Sequence, residues 1–147
     1  MTTLQEAFKN EGYIPIPFLF NGAGHPTVVF KYKETEVTFL LDTGAGENLL
    51  DTQFAKDMGL DLVATGNKGG GAGGLIHDTY SIGEITFQYN DMVFSFEQFY
   101  AMDFGTIWQA LETQGIKADF QGILGFTFFE MTRSYIDYVN KRIYVKI

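Results

Sequence analysis

Residues 39–45 of the chain read Phe-Leu-Leu-Asp-Thr-Gly-Ala, and the rest of the sequence is organised around them. Three apolar residues lead directly into the carboxylate of Asp42, the hydroxyl of Thr43 and the bare backbone of Gly44. An ionised carboxylate at the mouth of an apolar strand is costly unless it is paired or hydrogen-bonded. A glycine beside it takes dihedral angles that other residues avoid and lets a second backbone approach closely. The stretch therefore indicates a strand end that is built for chemistry.

A simpler interpretation of the same residues is a strand end followed by a turn, with Asp42 as the turn former. An isolated Asp-Thr-Gly is common by chance, so the surrounding sequence has to decide. An apolar pair, Leu49-Leu50, follows shortly after Ala45. Much later, residues 122–125 read Gly-Ile-Leu-Gly, a short apolar segment between two glycines. These two segments favour a functional strand end over a plain turn.

Hydrophobic-hydrophobic-Asp-Thr-Gly-Ala early and hydrophobic-hydrophobic-Gly late resembles the retropepsin-like aspartic proteases, most of all their small cellular and bacterial members. The resemblance extends over nearly the whole chain. Residues 13–17 look like the opening strand of that family, residues 66–74 stand where its glycine-rich flap tip lies, and residues 134–147 look like its closing hairpin. It implies one mainly β domain over residues 1–147, a closed β-barrel with two or three short helices, preceded by residues 1–12 as an N-terminal extension.

Composition limits the class of protein. A chain of 147 residues can bury a real core as one domain. With 46% apolar residues and 15 Phe, it is not a disordered chain. The absence of cysteine excludes disulfides, thiol catalysis and cysteine-based metal sites. The start lacks the basic and then apolar pattern of a signal peptide, and no apolar run reaches the roughly 18 residues of a membrane span. We expect a cytoplasmic protein, unless a leader has been removed.

The net charge of −8 argues against a nucleic-acid partner. The ten basic residues are scattered, and only Lys141 and Arg142 are adjacent, so no phosphate-tracking patch is present. The acidity is interpreted first as an aid to solubility. A mild preference for basic or neutral peptides is the alternative.

The glycine-rich run at residues 66–74 contains a formal GxGxxG at residues 69–74. A dinucleotide site needs a helix to follow this motif, whereas residues 75–82 read as a strand. No Gly-Lys-Ser/Thr follows either, which excludes a nucleotide P-loop. A flexible hairpin tip and a mobile cover over a cleft both remain open. The Asp-Thr-Gly upstream favours the cover, because lids that exclude water from chemistry need such tips.

Local patterns predict the remaining elements from alternation in strands and from caps at helix ends. Asp51 is the expected cap of one helix and Gly59 its stop. Thr106 to Gln109 fits a capping box, and Trp108 is interpreted as a packing anchor. The predicted helices cover residues 4–10, 52–58, 107–114 and 126–131, and the predicted strands cover residues 14–20, 27–31, 36–41, 61–65, 75–82, 84–89 and 92–101.

The chemistry follows from there being a single Asp-Thr-Gly. Neither Asp78-Thr79-Tyr80 nor Asp103-Phe104-Gly105 is a substitute for it. An aspartic protease needs two carboxylates around one water, one acting as base and the other as acid. The chain must therefore dimerise about a two-fold axis that passes between Asp42 and its mate. We expect a homodimer that hydrolyses peptide bonds without a cofactor and favours acidic to mildly acidic pH.

The resemblance also assigns roles to individual residues. Asp42 is the catalytic acid and base, Thr43 braces the two loops across the axis, and Gly44 presents backbone groups to the substrate. Gly125 is the residue that lets the late segment cross behind the catalytic loop. The implied substrate contacts are Ala45, Gly69, Gly70, Gly71 and Ile123.

Four positions depart from the family pattern. Retroviral members commonly have an acidic residue after Asp-Thr-Gly-Ala and a basic one after the late glycine. This chain has Gly46 and Phe126 there, so that ion pair is absent. Gln121 and Thr127 stand where cellular relatives often have Asp. The changes leave the triplet intact and concern the substrate pockets, the bracing of the loop and the level of activity.

Two other classes of function are open. The first is a catalytically silent, dimeric peptide-binding or scaffold domain of the same fold. The second is a metal-binding protein that uses Asp42, Glu47, His77 and Asp78, although these residues lack the HxH or HExxH spacing of metal sites. Residues 1–12 could block the cleft, cover the dimer seam or do neither.

Overall fold

A computed structural model of the chain describes residues 1–70 and 76–147. These parts are mainly β, with short helices between the strands. In chain order the elements are α1 (Leu4–Asn10), β1 (Ile14–Pro17), β2 (Leu19–Phe20), β3 (Pro26–Tyr32), β4 (Thr35–Leu41), β5 (Leu49–Asp51), α2 (Thr52–Asp57), β6 (Val63–Gly70), β7 (Ile76–Tyr89), β8 (Met92–Met102), α3 (Gly105–Thr113), β9 (Gly122–Leu124), α4 (Phe126–Met131), β10 (Tyr135–Asp137) and β11 (Arg142–Val145).

The described strands form two sheets. The larger has eight strands in the order β2-β3-β4-β9-β5-β8-β7-β6, and the smaller has three in the order β1-β11-β10. An additional bridge joins β3 to β7 at Lys31 and Gln88. The predicted mainly β fold with short helices is confirmed, whereas closure into a barrel stays a prediction.

Phenylalanine rings dominate the main core. Phe30 stacks on Phe94 with ring centroids 5.0 Å apart, and Phe39 meets Phe87 edge-on at 5.1 Å. Such offset and edge-on contacts are the arrangements that aromatic pairs prefer. This core positions β4, because both Phe39 and Leu41 on that strand belong to it.

A second, smaller cluster of buried residues lies on the other side of β4 and includes Leu40. Successive strand residues point to opposite faces, so β4 is apolar at consecutive positions because each of its faces meets a different cluster. We call this group the loop-side cluster, since Ala45 of the Asp-Thr-Gly-Ala segment packs against it. Its buried members are Leu40, Met102, Phe104, Phe120 and Ile123.

Several predicted elements are confirmed. The helix at residues 4–10 and the hairpin that becomes β3 and β4 are in place. Asp51 caps α2 by accepting a hydrogen bond from the Phe54 amide at 3.1 Å. The helix at residues 126–131 is present as α4. The indole Nε1 of Trp108 donates to the Phe120 carbonyl at 3.1 Å, which agrees with a packing anchor.

The prediction of one strand over residues 14–20 is wrong. The segment divides at Phe18 into β1 and β2, which belong to different sheets. Phe18 is buried, and its amide donates to the carbonyl of Lys141 at 3.0 Å instead of joining a strand ladder. The division therefore follows from the need to bury this ring.

The strands on either side of the predicted flap tip are longer than predicted. Residues 75–82 and 84–89 were predicted as separate strands, but residues 76–89 form one strand, with irregular pairing around Gly83 at φ +82°. Residues 66–70 of the predicted flap tip belong to β6, which pairs with β7 up to Gly70. The rest of that tip, including Gly71, lies outside the described residues.

The capping box predicted at Thr106 is wrong. The cap of α3 is Phe104, whose side chain has no oxygen to offer, and the helix begins at Gly105. The amide of Gly105 donates to Asp103 Oδ1 at 2.8 Å. The hydroxyl of Thr106 instead lies 3.0 Å from Nε2 of His77 on β7.

The closing hairpin also differs from strict alternation. Ile143 and Val145 face the main core, as alternation along a strand predicts, but Tyr144 between them is buried as well. Phe8 of α1 stacks on its ring with centroids 4.2 Å apart. Helix α1 therefore packs against the three-stranded sheet through Phe8, which also contacts the ring of Tyr135.

In the turn of this hairpin, the carboxyl group of Asp137 has a lowered pKa. The side-chain amide and the backbone amide of Asn140 both donate to Asp137, and these bonds hold the pKa of Asp137 below its usual range.

In the part of the chain that the structure describes, no helix combines the length and the apolar character needed to cross a membrane.

Candidate active site

The Asp-Thr-Gly segment forms a tight turn at the end of β4. The amide of Asp42 donates to the Leu124 carbonyl of β9 at 3.0 Å, which carries the strand pairing one residue beyond β4. The carbonyl of Asp42 accepts a hydrogen bond from the Ala45 amide at 3.1 Å and closes the turn. Asp42 is half-buried, while Thr43 and Gly44 are exposed. The turn therefore presents these three residues at the surface of a single chain.

The carboxylate of Asp42 is held by its own turn. Its Oδ1 accepts a hydrogen bond from the Gly44 amide at 2.9 Å. A Cβ placed on Gly44 would lie 3.2 Å from the same Oδ1, closer than ordinary van der Waals contact. A glycine at this position thus leaves room for the carboxylate while its amide donates to it. A hydrogen bond to an ionised acceptor is stronger than one between neutral groups.

β9 passes between the strands that lead into and out of this turn. It runs parallel to β4, with Leu124 opposite Leu41, and antiparallel to β5, with Ile123 opposite Leu49. We call this arrangement of β4, β9 and β5, together with Gly125, the crossing. The amide of Phe126, just past it, donates to the Ala45 carbonyl at 2.8 Å.

The crossing is too tight for side chains at its glycines. A Cβ placed on Gly125 would lie 2.5 Å from the carbonyl oxygens of both Ala45 and Glu47. A Cβ on Gly122 would lie 2.4 Å from the ring of Phe39. Atoms do not approach this closely, so the predicted close passage at Gly125 is confirmed.

Sequence reasoning missed Asn48 beside the crossing, and it named Thr127 only as a departure from the family pattern, without a partner. The Asn48 side chain is buried, with Oδ1 accepting from the Gly125 amide at 2.9 Å and Nδ2 donating to the Thr127 hydroxyl at 2.8 Å. One signal was available in the sequence. Asn48 directly precedes the apolar pair Leu49-Leu50, at the start of a strand that had to be buried, so its amide needed partners inside the protein.

Three of the predicted substrate contacts come together at the loop-side cluster. Ile123 is a buried member of it, and Ala45 packs against it. A Cβ placed on Gly69 would lie 3.8 Å from the sulfur of Met102, another member. Gly70 is exposed at the end of β6, and Gly71 lies outside the described residues. The structure thus brings β6, the Asp42 turn and β9 together around one buried apolar cluster.

The base of the predicted flap is held by polar contacts between β6 and β7. The hydroxyls of Thr65 and Thr79 lie 2.7 Å apart, and the Thr79 hydroxyl also donates to the Asn67 carbonyl at 3.0 Å. Lys68 and Asp78 form an exposed ion pair with an N–O distance of 2.9 Å.

The residues of the metal hypothesis are engaged separately. Asp42 accepts from Gly44, Asp78 pairs with Lys68, and His77 contacts Thr106. Within residues 1–70 and 76–147, no three His, Cys, Asp or Glu side chains lie close enough together to hold a metal ion. This arrangement does not support the metal hypothesis for the described residues.

Two surface hollows among the described residues do not include Asp42 in their lining. One of about 450 Å³ is lined by residues of the β3–β4 turn and β7, and one of about 240 Å³ by residues of α2, β7 and the segment after β8. Asp42 lines neither of them. The half-buried Asp42 therefore lies outside both of these hollows.

Comparison with known proteins agrees with this geometry. A family model described as aspartyl protease matches residues 28–128, more than half of the chain. A search of curated proteins found no match.

Among solved structures, one similar to this chain is a retropepsin-like aspartic protease from Rickettsia conorii, with a TM-score of 0.59 and 18% identity over 91% of this chain and 98% of the other. Another is the retroviral protease-like domain of Ddi1 from Leishmania major, with a TM-score of 0.57 and 15% identity over 82% of this chain and 87% of the other. At these identities the likeness shows the retropepsin-like fold alone. With the family match over residues 28–128, it follows that this chain belongs to the aspartyl protease family.

Proposed function

We propose that the protein is a homodimeric aspartic peptidase in which each subunit supplies one Asp42. The observation that carries the proposal is the presentation of Asp42. Its carboxylate stands in the only Asp-Thr-Gly of the chain, half-buried, on a turn that β9 and Gly125 hold from behind. A buried crossing of this kind fixes a carboxylate in place while leaving one side of it open.

The dimer follows from the chemistry. Peptide hydrolysis by carboxylates needs one group to take a proton from water and a second to give a proton to the substrate. Two carboxylates a few Å apart cannot both be ionised, so the pair shares one proton. A chain with one Asp-Thr-Gly obtains its second carboxylate from an identical subunit across a two-fold axis.

The reaction then runs in two stages. The ionised Asp42 removes a proton from the water, whose oxygen attacks the peptide carbonyl carbon, while the protonated Asp42 gives its proton to the carbonyl oxygen. The tetrahedral intermediate next loses the amine, which takes a proton from the protonated carboxyl group as the C–N bond breaks. At the same time the ionised carboxylate removes a proton from one hydroxyl of the intermediate, whose oxygen becomes the carbonyl oxygen of the new carboxylic acid. The pair ends with one proton, as it began. We propose that Thr43 braces the two turns and that Gly44 presents backbone groups to the substrate.

We propose that the substrate lies between the catalytic turns and the flap strands. In this proposal the whole chain is one domain, and the bridge between β3 and β7 closes the larger sheet into a barrel. The proposed substrate contacts are Ala45, Gly69, Gly70, Gly71 and Ile123.

Substitution of Asp42 tests the proposal. Asp42→Asn keeps the size and the hydrogen-bonding shape of the side chain but removes the base, so we expect loss of at least about 1,000-fold in peptide cleavage with fold and dimer retained. Asp91→Asn, at the exposed turn between β7 and β8, makes the same change of charge and serves as the control. Cleavage should also be blocked by a peptide carrying a transition-state hydroxyl group. Full cleavage by Asp42→Asn would refute the assignment.

A mixing experiment tests the shared site. Wild-type chains are mixed with an equal amount of Asp42→Asn chains and allowed to exchange subunits. If both carboxylates are needed, only wild-type pairs cleave, and activity per total protein falls to about one quarter of that of pure wild type. Independent subunits would instead give about one half. A value near one half would leave the fold intact and overturn the dimeric mechanism.

A further inference from the structure

Asn48 is a buried polar side chain between the catalytic turn and α4. Its relative exposure is 2%, and both ends of its amide have a partner. Oδ1 accepts from the amide of Gly125 at 2.9 Å, and Nδ2 donates to the hydroxyl of Thr127 at 2.8 Å. The partners lie 77 and 79 residues away along the sequence. Asn48 thus joins two distant segments at the point where the catalytic segment ends.

The catalytic segment, residues 42–48, is attached to the late segment at three successive places. The amide of Asp42 bonds to the Leu124 carbonyl at its start, and the Ala45 carbonyl accepts the Phe126 amide in its middle. The Asn48 side chain supplies the attachment at its end. The first two attachments are main-chain bonds that any sequence could make. The third depends on one side chain.

The surroundings of residue 48 require a side chain with an amide group. It must accept one hydrogen bond and donate another in a buried place, and an asparagine side chain does both without a charge. Alanine would leave the Gly125 amide without this partner, and an unsatisfied buried donor is costly. The carbonyl of Asn48 also accepts from the Tyr100 amide at 3.1 Å, so the main chain is tied to β8 at the same residue. Asn48 is therefore held on both sides, by β8 through its main chain and by Gly125 and Thr127 through its side chain.

We infer that Asn48 is a positioning residue for Asp42, and that its bonds to Gly125 and Thr127 fix the position of the catalytic turn relative to α4. The inference rests on the proposed function of Asp42. Residues 43–47 connect Asp42 to Asn48, and Gly46 and Phe126 offer no charges with which to brace them. The bonds of the Asn48 side chain to Gly125 and Thr127, which we call the clamp, brace the end of this segment with neutral groups.

The consequence is an effect on turnover. Displacing a catalytic group by about 1 Å can lower the rate about 100-fold, even when the substituted residue does not touch the substrate. For Asn48→Ala we expect kcat to fall about 10- to 100-fold, with KM changed less than about 3-fold, because the surface that binds the substrate is retained. Thr127→Val removes only one of the two bonds and should give a smaller fall in kcat.

A matched control tests whether a loss of kcat in these variants comes only from a general loss of stability. Thr132, at the end of α4, is also buried, and its hydroxyl donates to the Phe128 carbonyl at 2.9 Å. Thr132→Val removes one buried hydrogen bond from the same helix at the end away from the catalytic turn. It should lower the melting temperature about as much as Thr127→Val does, and leave kcat unchanged. Equal loss of kcat in both variants would overturn the inference.

A second test restores the clamp with its groups exchanged. In the double variant Asn48→Thr/Thr127→Asn, a hydroxyl faces Gly125 and an amide stands on α4, so one donor and one acceptor remain on each side. We expect it to recover at least about 10-fold of the kcat lost in Asn48→Ala. Failure to recover, with the fold intact by circular dichroism, would contradict the inference.

Amide hydrogen exchange separates this inference from the proposed function. Asn48→Ala should speed exchange at Gly125, Gly44 and Ala45 at least about 10-fold more than Thr132→Val does. If the wild type cleaves no peptide, the proposed function fails, and the exchange rates still decide whether Asn48 holds the turn. If the wild type cleaves and Asn48→Ala keeps its kcat or shows no faster exchange, the positioning role is overturned.

Discussion

Gly125 at the crossing and Gly66 on β6 both occupy positions that favour glycine, but for opposite reasons. Gly125 has an ordinary extended backbone, with φ −115°, but a Cβ there would lie 2.5 Å from two carbonyl oxygens. Gly66 has φ +77°, and no described atom lies within 4 Å of a Cβ placed on it. The first position lacks room, and the second needs a backbone conformation that L-residues avoid.

This difference matches what the two regions are proposed to do. At the crossing, backbone and side chains from three strands fix the turn that carries Asp42, so nothing there has space to adjust. On the flap strand, the pairing of β6 with β7 shifts register between Ala64 and Lys68, around Gly66. An irregular, exposed strand can change its shape at little cost. In the proposed function, the crossing is the rigid part of the site and β6 is the adaptable part. Substitutions can test each of the two.

The largest effect is expected for Gly125→Ala. The added methyl group meets only backbone atoms, which have no flexible end to move away. We expect the free energy of unfolding to fall by more than about 3 kcal/mol, at the upper end of the cost of overpacking. Urea denaturation of the purified variant measures it.

Gly46→Ala is the matched control, since Gly46 lies between Ala45 and Glu47, whose carbonyl oxygens Gly125 approaches, but is exposed, with no described atom within 4 Å of its own Cβ position. It should stay within about 0.5 kcal/mol of the wild type. A loss below about 1 kcal/mol for Gly125→Ala would show that the crossing can adjust, and would break the distinction between the two regions.

A moderate effect is expected for Gly66→Ala. The methyl group has space, but a residue with a Cβ pays about 1 to 2 kcal/mol to hold a left-handed conformation. Asparagine tolerates that conformation better, so Gly66→Asn should lose clearly less. Parallel urea denaturation of the two variants measures the difference. If alanine and asparagine cost the same, backbone conformation is not what requires glycine at this position.

Much of this arrangement was predictable because its causes are local. Asp51 followed by an amphipathic run and Gly59 is sufficient to predict α2, and the short turn between two alternating segments predicts β3 and β4. The Asp42 triplet was identified as the candidate site for the same reason. A carboxylate, a hydroxyl and a glycine directly after an apolar strand are visible without knowledge of what packs against them.

The features that could not be predicted depend on distant partners. Asn48 has no local signal for its bond to Thr127, since 79 residues separate the two. Tyr144 reads as an outward residue until Phe8 of α1 is known to stack on it. The glycines of residues 66–70 disfavour a strand by propensity, yet the ladder with β7 holds them in one. In each case a tertiary contact outweighs the local preference.

The smallest effect is expected at the ion pair of the flap base. The side chains of Lys68 and Asp78 are 63% and 68% exposed, so water and salt screen their 2.9 Å contact. A double-mutant cycle with Lys68→Gln and Asp78→Asn should give a coupling energy below about 0.5 kcal/mol, falling further at high salt. A coupling above about 1 kcal/mol would mean that the flap base is held firmly, and the contrast with the crossing would then lie in the glycines alone. A weak pair is what the proposed flap requires, because opening it would break the contacts at its base.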